Sequence, residues 1–182
     1  MEGEDKTRHY SLERNSAYGE GGNITYLREW NNCLYWNIRR ISTHNKDFTA
    51  FSKEGISMNE HEIDCFLAVY EEIENIFCFS NDCFQDRVFR IGETMMINCF
   101  RTTCFHQTMD FRRIKKSESG ENIYGNGIIL KGNAITRFFN YCSSMKEDFN
   151  WLRHEKTTEQ TKNSMEYLSN QIDYKNLFDT VF

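Results

Sequence analysis

Basic and aromatic residues are interleaved in two stretches of the chain. In the first, Arg28, Arg39, Arg40, Lys46 and Lys53 alternate with Tyr26, Trp30, Tyr35, Trp36, Phe48 and Phe51. In the second, Arg87, Arg90, Arg101, Arg112, Arg113, Lys115 and Lys116 alternate with Phe89, Phe100, Phe105, Phe111 and Tyr124. Cations neutralise phosphates, and each aromatic face can stack on an unpaired base, worth about 1–3 kcal/mol. That mixture suits the binding of single-stranded nucleic acid with little sequence preference.

The net charge of −5 speaks against a generic polyanion binder, but the charge is segregated. Residues 24–56 sum to +2 and residues 86–131 to +3, whereas residues 57–85 sum to −7 and contain no Lys or Arg. The acidic residues Glu60, Glu62, Asp64, Glu71, Glu72 and Glu74 read as a solvated helix face that repels phosphates. Other chemistries have less support. No Gly-rich phosphate loop, nucleophile elbow or His-Glu-x-x-His run occurs, so no enzyme activity and no cofactor is expected. Cys78 with Cys83, and Cys99 with Cys104 and His106, are short spacings but lack a Cys-x-x-Cys knuckle, so no metal is expected either.

The elements that must position these residues occur twice. Gly55-Ile56-Ser57-Met58 matches Gly127-Ile128-Ile129-Leu130 at an offset of 72, and the same offset carries Ile63 onto Ile135, Phe66 onto Phe138, Leu67 onto Phe139, Ile73 onto Met145 and Phe77 onto Phe149. These apolar positions recur at three- and four-residue steps, so each copy ends in an amphipathic helix. The first spans about 59–76, with Asn59 as N-cap and Glu62 three residues on. The second spans about 133–149, capped by Asn133. Upstream, residues 35–40 match residues 96–101 at an offset of 61. That alignment sets Phe100 in the place of Arg39 and puts an eleven-residue insertion in the polar loop 115–122.

Strands are expected near 24–29, 33–42, 47–52 and 55–58, and again near 87–92, 95–105, 109–115 and 123–130. In the strand at 35–40, alternation puts Trp36 and Ile38 under the helix and Tyr35, Asn37 and Arg39 on the open face. The fold class is α+β: two repeats of a curved four-stranded antiparallel sheet with a C-terminal helix. Residues 1–23 read as a flexible tail, 24–79 as the first repeat, 86–150 as the second, and 151–182 as a helical extension opening near Thr157. In that extension Met165, Leu168 and Ile172 look for a surface to cover.

The string Asn37-Ile38-Arg39-Arg40, followed by a polar hairpin, Lys53-Glu54-Gly55-Ile56-Ser57-Met58 and an amphipathic helix, resembles the Positive Cofactor Four family of transcriptional coactivators. The resemblance covers about 55 residues of the first copy and about 60 of the second. It implies a dimer of curved sheets whose grooves bind single-stranded DNA, here joined in one chain as an intramolecular pseudo-dimer. The expected nucleic-acid contacts are Arg28, Tyr35, Asn37, Arg39, Arg40, Lys46 and Lys53 in the first copy, and Arg90, Phe100, Arg101, Arg112, Arg113, Lys115 and Lys116 in the second. The expected internal interface pairs Ile63, Phe66, Leu67, Tyr70, Ile73 and Phe77 with Ile135, Phe138, Phe139, Met145 and Phe149. The departures are Glu54 and Asn126 before the two glycines, where the family is usually basic, and the missing hairpin proline.

The chain has no proline and seven cysteines, an odd number that suits free thiols in a reducing compartment. With an acidic start and no membrane-length apolar run, an intracellular protein is expected, nuclear by the resemblance, or in a host nucleus if viral. Its expected partners are single-stranded DNA or RNA and the proteins of transcription or replication, with no membrane. The competing expectation is a protein-interaction scaffold that kept the fold and lost the groove.

Overall fold

The computed structural model describes residues 9–11, 22–41, 51–78, 84–102 and 107–178. The fold is α+β. One antiparallel sheet contains β1 (His9–Ser11), β2 (Asn23–Trp30), β3 (Cys33–Ile41) and β4 (Phe51–Asn59), in that order, and is followed by α1 (Glu60–Leu67) and α2 (Tyr70–Cys78). The other contains β5 (Arg87–Ile91), β6 (Met95–Arg101), β7 (Gln107–Lys116) and β8 (Asn122–Lys131), and leads into α3 (Asn133–Phe178). The chain divides into two compact units, 1–146 and 147–182.

Four expectations about elements change. Phe51–Asn59 forms one strand, β4, across the gap expected between the strands 47–52 and 55–58, residues 47–50 lying outside the described residues. The edge strand β1 comes from the segment read as a tail, the rest of which, up to residue 21, also lies outside them. The first helix is interrupted at Ala68 and Val69, where the Val69 N–H donates to Phe66 O (3.0 Å). Conversely, residues 133–178 form one helix rather than two. No Pro or Gly interrupts them, and the Thr157, Thr158 and Thr161 hydroxyls donate to carbonyls four residues back instead of opening a new helix. No helix among the described residues is long and apolar enough to cross a membrane.

Register identifies which strands of the two sheets correspond. Arg39 pairs with Gly55 where the register shifts, β4 carrying the extra residues, and Arg112 pairs with Gly127 where the register shifts and β8 carries the extra residue. A Cβ on either glycine would strike the facing carbonyl, Ile38 O or Phe111 O, and the δ-carbon of the facing arginine. Glycine thus lets the arginine lie across the strand where the ladder slips. The counterpart of Ile38-Arg39-Arg40 is therefore Phe111-Arg112-Arg113, not residues 99–101. The offset-61 match and its eleven-residue insertion are wrong, and Arg112, not Phe100, holds the place of Arg39.

The inner faces of both sheets meet in an aromatic core. Phe138 of α3 lies 6.0 Å from Trp36, 5.8 Å from Phe66 and 5.6 Å from Phe111, measured between ring centroids. Trp36 also meets Phe66 edge-on at 5.4 Å. Trp36 is fully buried, and its indole N–H donates to Thr25 Oγ1 (2.7 Å), which in turn donates to Asn37 O (3.0 Å). Ile63, Phe66, Tyr70, Ile73, Ile135, Phe138, Phe139, Met145 and Phe149 are buried, and Leu67 and Phe77 are half-buried.

A polar tie joins the two halves. Asn59 caps α1 in a complete capping box with Glu62, so the capping carboxylate is held at the helix N-terminus. Arg113 of β7 reaches that carboxylate (3.0 Å to Oε2, with a closer contact to Oε1) and also donates to the Ser57 carbonyl. Thr94 donates to Glu62 Oε1 (2.6 Å). Glu62 is therefore no part of a solvated acidic face. Burial pushes its carboxyl up, but hydrogen bonds from Arg113, Thr94 and the Asn59 backbone, with the Arg113 charge, leave it below the ordinary 4.5.

A lowered carboxyl stabilises the fold above its unfolded value, and that stabilisation is lost as pH falls through the folded one. Glu62→Gln should therefore melt below wild type at neutral pH, with the gap closing below about pH 4. Arg113→Ala should cost about 3 kcal/mol in urea unfolding, since it strands a buried carboxylate. Gly127→Ala should cost about 2 kcal/mol or more in the same assay, because its Cβ overlaps the Phe111 carbonyl.

Candidate nucleic-acid interface

Antiparallel register places Trp30, Arg28, Tyr26 and Ile24 of β2 beside Cys33, Tyr35, Asn37 and Arg39 of β3, on the face away from the helix. The Asn31-Asn32 turn, with φ of 49° and 58°, is a two-residue hairpin whose twist suits these strands. Trp30 lies diagonal to Tyr35, their rings 6.4 Å apart and inclined at 59°. Together with Arg28, Asn37 and Ser57 they line an open cleft of ≈ 360 Å³. Trp30 is 60% exposed, Arg28 is exposed and Tyr35 is half-buried.

Hydrogen bonds set the cleft's floor. Arg39 Nη2 donates to Ser57 Oγ (2.7 Å), the Ser57 hydroxyl donates to Asn37 Oδ1 (2.6 Å), and Asn37 Nδ2 donates to Tyr35 O (3.3 Å). Asn37 is buried, so it orients Arg39 through Ser57 rather than reaching outward. Tyr26 is also buried. Burial raises its phenol, and the charges of Arg39 and Arg28 oppose that rise, which places two guanidiniums around one side chain. Lys46 lies outside the described residues, as does the side chain of Lys53 in β4.

The second sheet offers less free charge on the matching face. Arg112 Nε sits 2.8 Å from Asp110 Oδ1. Burial raises the Asp110 carboxyl, against the hydrogen bond and charge of Arg112. Arg90 is exposed and donates to Asn122 Oδ1 (3.2 Å), while Phe100 is half-buried. The Arg101 guanidinium stacks 5.1 Å from the Phe84 ring centroid. Lys115 is exposed, and Lys116 Nζ donates to Gly120 O (3.2 Å) in the hairpin loop. Arg113 is committed to Glu62. Arg40 pairs with Glu54 at 2.9 Å beside a second cleft of ≈ 530 Å³, whose other wall carries Arg112 and Gly125–Ile129.

Thus Arg28, Tyr35 and Arg39 are brought together, with Asn37 beneath them, whereas Arg40, Arg112 and Arg113 are each met by a carboxylate. Arg87, on the edge strand, likewise meets Glu72 at 2.5 Å. Two members of the site were not among the expected nucleic-acid contacts, Trp30 and Ser57. The signal for Trp30 was present: it continues the Tyr26, Arg28 alternation and crosses a two-residue turn toward Tyr35. Ser57 carries no such signal, because its role depends on the pairing of β3 with β4. Among the cysteines, Cys99 is buried and its thiol is pushed up to about 12, unsuited to ligation or nucleophilic attack. Cys83, Cys104 and His106 lie outside the described residues.

No protein-family model and no curated protein matches the chain. A solved structure described as crystal structures of Trypanosoma bruciei MRP1/MRP2 is similar over 80% of this chain and 88% of that one, at 8% identity and a TM-score of 0.33. At those values the likeness carries no argument about fold or function.

Proposed function

We propose that the chain binds single-stranded nucleic acid, with DNA as the expected ligand, on the open face of its first sheet. The observation that carries this reading is the cleft between Trp30 and Tyr35. Two aromatic faces stand there beside Arg28, with Arg39 held one residue pair further along by Ser57. Bases need accessible rings and phosphates need unneutralised cations. On this face Trp30 is exposed and Tyr35 half-buried, and among the described residues no carboxylate is paired with Arg28 or Arg39. Its rings sit at the surface, where an unpaired base can present its flat side and a stacked duplex cannot.

The same proposal takes the chain to be an intramolecular pseudo-dimer. What supports it is that strand order, bulge and facing glycine recur in each half, and that Phe66 and Phe138, matched by sequence, touch each other. In a two-fold arrangement a residue meets its own counterpart only near the axis. The resemblance to the Positive Cofactor Four family extends the reading to transcription or replication in a nucleus. A scaffold role is favoured by a different observation, the carboxylates that meet Arg40, Arg112 and Arg113.

Fluorescence anisotropy with labelled oligo(dT) separates the two. The nucleic-acid reading predicts submicromolar binding at low salt, stronger than to duplex of equal length. The logarithm of affinity should fall against that of salt with a slope of about −0.7 per phosphate contact. Arg39→Glu should weaken binding at least ~10-fold while the protein stays folded. No retention of oligonucleotide at low salt would refute the reading and leave the scaffold.

A further inference from the structure

The two sheets present matching faces with unmatched chemistry. Register carries Arg28 onto Phe100, Tyr35 onto Thr108 and Asn37 onto Asp110, and the same offset, continued one residue past the end of β6, sets Thr102 in the place of Trp30. Both rings of the first cleft are thus replaced by threonines, and Thr108 is fully buried. The cation at Arg28 becomes an apolar ring. Only the Arg39 counterpart, Arg112, keeps its type, and it already has Asp110 2.8 Å away. A phosphate arriving there would have to separate that pair and would meet a carboxylate that the first sheet replaces with a neutral amide.

We infer that the chain holds one single strand, on its first sheet, and that the equivalent face of the second sheet does not bind nucleic acid. This rests on the function proposed above. It narrows the substrate to a short run of unpaired nucleotides bound one per chain. The asymmetry lies in the side chains of the faces themselves, since the backbone device behind them, an arginine opposite a glycine at a bulge, is retained in both halves.

Native mass spectrometry of the full chain with an oligo(dT) about eight nucleotides long, within the span one such site covers, counts strands per chain. Anisotropy of variants then locates the site. One oligonucleotide per chain is expected. The double change Trp30→Ala with Tyr35→Ala should weaken binding at least ~30-fold, the loss of two stacked bases. Val88→Glu adds a negative charge on the second open face, at a residue 62% exposed. It should leave affinity within about twofold, because under this inference no phosphate is contacted on that face. Two oligonucleotides of equal affinity per chain, or loss with Val88→Glu comparable to that of the double variant, would overturn the inference while nucleic-acid binding itself stood. Failure of the unaltered protein to bind any oligonucleotide would overturn both. Thermal melting of each variant separates lost contacts from lost fold.

Discussion

The contact of Phe138 with Trp36, Phe66 and Phe111 is the interaction on which the rest of the structure depends. Each half is an antiparallel sheet with one apolar face, and a short interrupted helix such as α1–α2 cannot cover that face alone. The ring of Phe138 lies where the inner residues of both sheets converge, so burying either sheet requires the other. Aromatic side chains suit this position because each buries a large area with few rotatable bonds and adds edge-to-face attraction. Under the proposed pseudo-dimer, Phe66 and Phe138 are the residues closest to the axis, and the polar outer faces are free to differ.

That division of labour explains where the halves agree and where they part. They agree at the bulges, where Gly55 and Gly127 let Arg39 and Arg112 cross the strand, and in the helices that build the core. They part in the partners of the arginines. Arg39 rests on a serine hydroxyl, Arg112 on a carboxylate, Arg40 on Glu54 and Arg113 on Glu62. Glu62 has no counterpart in the second half, where Ala134 stands at the offset of 72. So the tie from β7 to the cap of α1 exists on one side only, and the proposed pseudo-symmetry would be broken there by an ion pair inside a well-formed capping box.

Much of the fold was legible in the residues. Period-two alternation located β2, β3 and β5 to β8 within a few positions, and Asn59 with Glu62 announced the start of α1. The helix match at an offset of 72 named both members of the Phe66–Phe138 contact. Three things were not legible. The break at Ala68 has no Gly or Pro to mark it. The continuity of α3 past Phe149 was masked by Thr157 and Thr158, which read as a cap until their hydroxyls are seen bonding within the helix. The correspondence of Arg39 with Arg112 was hidden because residues 96–101 imitate the pattern of residues 35–40, and only cross-strand register decides between them. Within the site, strand alternation gave the face of Tyr35 and Arg39 but could not show that Asn37 is covered or that Ser57 carries Arg39.

The central claim is that unpaired bases lie on the face of β2 and β3. Aromatic residues in van der Waals contact with a base are the ones that form covalent adducts under ultraviolet light, so the contact itself can be recorded. Irradiation of the full chain with oligo(dT), followed by peptide mapping, should place the adducts at Trp30 or Tyr35, with Trp36 unmodified because it is fully buried. Adducts confined to residues 87–131, or none under conditions where the oligonucleotide is bound, would contradict the account.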